Sequence, residues 1–162
     1  MSAYDQPMHG SVTVSIAAPI GRVWDLLTDV TRIGEFSPET FEAEWLGGAS
    51  GPAPGARFRG HVRRNGRGPV YWTTCEVVAC EPEREFSFAV LAGTRTVNTW
   101  RYLLAPAGDS GQPATDVTES FELPATAPLR LYWLAAGHWR MRTNLTGMRT
   151  TLERMKAVAE SA

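Results

Sequence analysis

LYWLAAGHWRMRTNLTGMRTTLERMKAVA, residues 131–159, is the stretch whose reading decides the fold. Leu131, Leu134, His138, Met141, Leu145, Met148, Leu152, Met155 and Ala159 succeed one another at alternating steps of three and four. That spacing predicts one long helix with a continuous apolar face. Arg140, Arg142, Arg149, Glu153, Lys156 and Glu160 fall on the other side, where water can solvate them. Pro128 suits the first turn, whose N–H groups have no partner inside the helix. Gly137 weakens the helix locally.

Upstream of this helix the period changes to two. Val12, Val14 and Ile16 alternate with Ser11, Thr13 and Ser15, as in a half-buried strand. Pro19 and the helical spacing of Val23, Leu26, Leu27 and Val30 predict a short helix, with a second over 31–36 that Ser37-Pro38 stops. Six extended runs follow, at 40–46, 56–65, 70–81, 84–91, 95–104 and 116–123, separated by glycine and proline turns. Asn65-Gly66 predicts a tight hairpin, and 106–115 a polar hairpin loop. The expected fold class is α+β: a bent antiparallel sheet of about seven strands wrapped around a long C-terminal helix, with two short helices after the first strand. One domain spanning 1–162 accommodates all of it.

Composition narrows the function by exclusion. The 16 Lys+Arg and 17 Asp+Glu leave a net charge of -1, which argues against a dedicated nucleic-acid binder. No apolar run reaches the ~18 residues of a membrane span. The opening MSAYDQPMHG lacks a basic stretch followed by an apolar one, so a cytoplasmic protein is expected. Cys75 and Cys80, five apart in one strand, should point to opposite faces about 16 Å apart and remain free. No metal-ligand spacing, phosphate loop, dinucleotide fingerprint or nucleophile elbow occurs, so neither metal nor cofactor is expected.

Several short segments carry a family likeness. They are Ala18-Pro19 with Val23-Trp24-Asp25-Leu26-Leu27-Thr28-Asp29, then Ser37-Pro38-Glu39, Trp45-Leu46-Gly47-Gly48 and Gly55-Ala56-Arg57-Phe58-Arg59-Gly60. Trp100-Arg101-Tyr102 and Val117-Thr118-Glu119-Ser120 complete the set. Together they resemble the START-like helix-grip (SRPBCC) superfamily, and within it the actinobacterial polyketide cyclase/dehydrase-like branch. The resemblance covers essentially the whole chain. It implies a ligand cavity between the concave sheet face and the C-terminal helix.

Strand parity predicts what such a cavity contains. Phe58, Tyr71, Thr73, Phe86, Phe88, Asn98, Trp100, Tyr102 and Phe121 should point inward. Leu134, Met141 and Leu145 should face them from the helix. Arg57, Arg59, His61 and Arg63 should line the outer face, either solvated or docking an acidic partner. Apolar walls with a few polar groups describe a small-molecule pocket. Glu119 falls on the inner face, where burial raises a carboxyl pKa and fits it for proton transfer or for a structural hydrogen bond. His138 is the one histidine on the helical stripe and the second candidate for proton transfer.

Two functions remain open at this point. One is binding of a hydrophobic small molecule, whether polyketide-like, lipid-like or an aromatic metabolite. The other is polyketide cyclase/aromatase- or dehydratase-like catalysis through Glu119, His138 or both. Leu129, Leu131, Tyr132, Trp133 and Leu134 crowd more apolar surface than one helix face can bury. A homodimer contact is one use for that excess.

Overall fold

A computed structural model describes residues 8–109, 111–124 and 126–161. The elements run β1 (Met8–Ile16), α1 (Ile20–Thr28), a 3₁₀ turn (Val30–Glu35), β2 (Thr40–Leu46), β3 (Arg57–Arg63), β4 (Val70–Glu81), β5 (Glu85–Ala92), β6 (Arg95–Ala107), β7 (Ala114–Leu123) and α2 (Ala127–Glu160). All seven strands form one antiparallel sheet in the order β1-β7-β6-β5-β4-β3-β2. Consecutive strands pair from β2 to β7, as short hairpin connections require. Only β1 is placed out of sequence, pairing with β7 from Met8↔Leu123 to Ile16↔Thr115.

Three one-residue bulges bend the sheet. The extra residues are Phe41 in β2, Val78 in β4 and Val97 in β6, and all three side chains are exposed. A bulge shifts the ladder by one position and increases the local twist. It also reverses side-chain parity. Cys75 and Val77 face the core, and after Val78 so does Cys80, opposite Phe86. The expectation that the two cysteines face opposite sides is thus overturned by one inserted residue; both remain free. The tight turn expected at Asn65-Gly66 is a longer loop with a short 3₁₀ turn over Arg64–Gly66.

The convex face carries the basic run. Arg57 pairs with Glu76 at 2.7 Å, Arg59 with Glu44, and His61 Nδ1 with Glu42 at 2.6 Å. His61 stacks on Trp72 at 4.2 Å, and the Arg59 guanidinium lies 4.4 Å above the same indole. Cross-strand opposite charges and a cation–π contact account for these side chains.

Helix α2 packs mainly on β1, and less extensively on α1 and β7. Its C-terminal half is clamped: Met148, Leu152, Met155 and Ala159 are buried. Glu160 Oε1 accepts from the Ala17 N–H at 2.7 Å, Lys156 donates to Ser15 O at 2.9 Å, and Arg22 donates to Ala159 O at 3.3 Å. The N-terminal half departs from the predicted stripe. A repeat of 3.5 residues drifts by about 20° per heptad on a helix of 3.6 residues per turn. Over the four heptads from Ala159 back to Leu131 the stripe therefore rotates by about 80°. Leu131 and His138 end on an exposed flank. Leu134 keeps the azimuth of the buried Leu152 and is nevertheless 81 % exposed, so its exposure comes from lost cover over this end of α2 and not from the drift. Gly137, about five turns before Met155, takes the inward position instead. A Cβ there would lie 3.0 Å from the Trp133 indole, so glycine leaves room for that ring to reach the sheet.

The loss of cover along α2 is checked by two substitutions about five turns apart on the same side of the helix. Leu152→Ala should lower unfolding stability by about 2–5 kcal/mol. Leu134→Ala should change it by less than about 0.5 kcal/mol. Urea denaturation of the two variants would measure both, and comparable losses would place Leu134 in the core after all.

Candidate functional site

Helix α2 packs on β1, α1 and β7 and makes no comparable contact with β3 to β6, whose concave faces form the candidate trough beside it. Strand pairing lays its side chains out in rows. Phe121, Trp100, Phe88 and Val77 succeed one another across β7, β6, β5 and β4, and Glu119, Tyr102 and Phe86 form the adjacent row.

The predicted lining divides by burial. Phe58, Phe86, Phe88, Tyr102 and Phe121 are buried and form an aromatic floor. Phe58 meets Phe88 edge-on at 5.1 Å, and Phe88 stacks on Tyr102 at 6.5 Å. Tyr71, Thr73, Asn98, Trp100, Met141 and Leu145 are half-buried and form the wall that solvent reaches. Aromatic faces at 5–7 Å are favourable packing partners and equally good surfaces for a planar ligand.

Two predicted residues are not in the trough. Leu134 and His138 are exposed on α2, His138 through the rotation of the stripe and Leu134 for want of cover, so His138 does not meet Glu119. Their place is taken by Trp133, 6.5 Å from Phe121, which in turn is 5.8 Å from Trp100. Gly10 belongs there too. A Cβ on it would come within 2.9 Å of Phe121 and 3.0 Å of the Met141 sulfur, so its bareness lets α2 approach β1.

Glu119 is the chemical centre of the trough. It is 3 % exposed. Tyr102, directly opposite on β6, donates its hydroxyl to Glu119 Oε1 at 2.9 Å. Glu119 Oε2 is buried without a hydrogen-bond partner among the described residues. Burial pushes the carboxyl up to about 8, and the Tyr102 hydrogen bond opposes only part of that rise. The Tyr102 hydroxyl is itself raised well above its ordinary value, first by burial and then by the charge Glu119 would carry. At neutral pH the pair is therefore a neutral carboxylic acid beside a neutral phenol. The acid can donate a proton or a hydrogen bond from Oε2 to an oxygen placed over the aromatic floor.

Other surface features lack such a group. Two open depressions, of about 440 and 270 Å³, lie beside Arg22 and Leu26 and beside Pro38 and Arg63 respectively. Neither is lined by a buried ionisable side chain. Asp29 instead caps the 3₁₀ turn after α1, accepting from the Thr31 N–H at 3.2 Å. No group of three or more His, Cys, Asp or Glu converges among the described residues.

The raised carboxyl has a consequence for stability. Between the ordinary value of 4.5 and about 8, the native form holds a proton that the unfolded chain has lost. Stability is then highest below that window, falls as pH rises through it, and is level above it, with a limiting slope of about 1.4 kcal/mol per pH unit. Glu119→Gln cannot ionise and should remove this contribution. Its urea midpoint relative to the parent protein should rise between about pH 5 and pH 8. An unchanged difference across that range would mean that Glu119 is ionised in the folded protein.

Comparison with known proteins agrees with the geometry. Residues 8–160 match the family model described as polyketide cyclase/dehydrase and lipid transport. No curated protein matches the chain. Among solved structures, the Polyketide_cyc-like protein Cgl2372 of Corynebacterium glutamicum is 28 % identical, with a TM-score of 0.62 over 95 % of this chain and 93 % of that one. A START superfamily protein of Mycobacterium smegmatis superposes with a TM-score of 0.73 at 14 % identity, over 94 % and 97 % of the two chains. The di-domain ARO/CYC protein BexL of the BE-7585A biosynthetic pathway gives 0.67 at 22 % identity, covering 96 % of this chain and 51 % of that one. The family's range, ligand binding or cyclase-like chemistry, fits an aromatic trough with one buried acid. The match over nearly the whole length establishes that this chain, which has a START-like fold, belongs to the polyketide cyclase/dehydrase and lipid transport family.

Proposed function

We propose that this protein binds a small, largely apolar, oxygen-bearing molecule in the trough between β3–β6 and α2. The observation that carries the reading is Glu119 Oε2, a buried polar atom without a partner in an otherwise aromatic surrounding. An unsatisfied buried polar group costs about 1–3 kcal/mol. A ligand carbonyl or hydroxyl that accepts from the protonated carboxyl recovers that cost. Trp100, Tyr71 and Met141 supply accessible apolar contact, and Asn98 and Thr73 add polar contacts on the wall. The ligand class is a polyketide-like, lipid-like or aromatic metabolite.

The binding reading is tested with a hydroxyanthraquinone probe, followed by quenching of tryptophan fluorescence. Trp100→Ala should weaken binding by about ten-fold, the loss of one aromatic contact. Trp72→Ala, on the convex face, should leave the affinity unchanged. Equal affinities in the two variants would remove the trough as the binding site. Native mass spectrometry of protein purified from its own host would then identify the chemical class of any retained ligand.

One observation favours a catalytic reading as well. A carboxyl with a pKa of about 8, held by a phenol, is protonated at neutral pH yet readily ionised. Facing a β-hydroxy ketone, Glu119 would give its proton to the departing hydroxyl, which leaves as water. The resulting carboxylate would take the proton from the α-carbon as the double bond forms, restoring the acid. Glu119→Gln keeps the shape of the side chain but not the proton. It should abolish such turnover while keeping affinity within a few-fold; undiminished turnover would take Glu119 out of the chemistry.

A further inference from the structure

We propose that the exposed flank of the N-terminal half of α2 docks onto anionic lipid bilayers. The proposal does not depend on what the trough binds. Leu131 is 72 % exposed, Leu134 81 % and Trp139 63 %, with Tyr132 beside them. These large apolar side chains stand on one structured helix, on the side that neither the sheet nor α1 covers. Charge identifies the occupant. Between Glu122 and Glu153 the chain carries Arg130, Arg140, Arg142 and Arg149 and no acidic residue at all. The whole chain has a net charge of -1, so the remainder is acidic. An anionic surface would attract this helix and repel the rest, which orients the molecule with α2 towards the surface.

Helical geometry gives the same orientation. At 100° per residue, Leu134, His138, Leu131, Arg142 and Arg149 lie within an arc of about 80°, with Trp139 and Tyr132 next to it. Leucines can enter the acyl boundary, Trp and Tyr rings can lie at headgroup level, and exposed arginines can reach phosphates from its edge. Residues 127–142 extend roughly 24 Å along the helix, enough to lie in the interface plane. Among the described residues no helix is long and apolar enough to cross a membrane, and the proposed contact is with the bilayer surface.

A second copy of the chain is the competing occupant. A two-fold contact through this flank would set arginines against the same arginines, with no carboxylate in the segment to pair them. Lipid phosphates remove that conflict.

The test is flotation of the full chain with vesicles of phosphatidylcholine alone and of phosphatidylcholine containing roughly one-third phosphatidylglycerol. The expected result is binding to the anionic vesicles only, weakening as salt is raised. Arg142→Gln and Arg149→Gln should each lower the partition coefficient by about five-fold, and Leu131→Ser with Leu134→Ser should lower it by more than ten-fold. Because all four side chains are exposed, thermal unfolding should stay at the parent value, separating a docking defect from a folding defect. Three results would overturn the proposal: no binding to either vesicle, equal binding to both, or anionic binding that these substitutions leave intact. Sedimentation velocity without lipid supplies a fourth. A dimer that Leu134→Ser dissolves would assign the flank to a second copy.

Discussion

One helix cannot cover seven strands, and most of this architecture follows from that mismatch. At about 4.8 Å per strand, the sheet would be nearly 30 Å wide if flat, against roughly 10 Å for a helix with its side chains. The chain answers in three ways. Bulges at Phe41, Val78 and Val97 bend the sheet. Helix α1 and the following 3₁₀ turn cover part of what α2 leaves, packing over β6, β7 and β2. The remaining concave surface is lined with aromatic side chains that partly fill it themselves. The trough is therefore built into the fold from the outset, and it lies where the cover is incomplete.

That incompleteness gives Glu119 its character. In a fully packed core a carboxyl with a bare oxygen would be selected against as an uncompensated polar group. Between an aromatic floor and a half-buried wall the same group is kept neutral by burial, and the proposed ligand would supply the partner its free oxygen lacks. Tyr102 contributes in two ways. Its hydroxyl fixes one carboxyl oxygen, and its ring forms part of the floor on which Phe88 stacks. The proton is thereby left to the other oxygen, and the direction in which the acid acts is set by a single cross-strand pair.

Much of this was legible in the sequence because side-chain alternation in a strand is rigid. Phe58, Phe86, Phe88, Trp100, Tyr102, Glu119 and Phe121 all lie on the face that parity assigns them. Reading failed where a periodic rule met a defect or accumulated a small error. The Val78 bulge reversed the position of Cys80 because an inserted residue carries no local mark; nothing in Val-Val-Ala announces it. On α2, the difference between 3.5 and 3.6 residues per turn is negligible over one heptad and decisive over four. It turned Leu131 and His138 away from the interior, whereas Leu134 shares the azimuth of the buried Leu152 and is exposed for want of cover. Gly10 was silent for another reason: a glycine's role depends on what approaches it, here a helix more than a hundred residues away.

The pairing of β1 with β7 also bears on how the chain is made. Met8 is synthesised long before its partner Leu123, and the α2 residues that cover both strands emerge later still. At ribosomal rates of about 5–20 residues per second, β1 waits several seconds with Val12, Val14 and Ile16 uncovered and both of its edges unpaired. The β2–β7 meander can assemble by local hairpins in that interval, but its β7 edge stays open until β1 returns to it. The alternating serines and threonines at 11, 13 and 15 keep the outer face of the waiting strand wettable. Closure of the sheet is thus a late, long-range event, and the nascent protein remains exposed to strand-to-strand mispairing until β7 has emerged and β1 has returned to it.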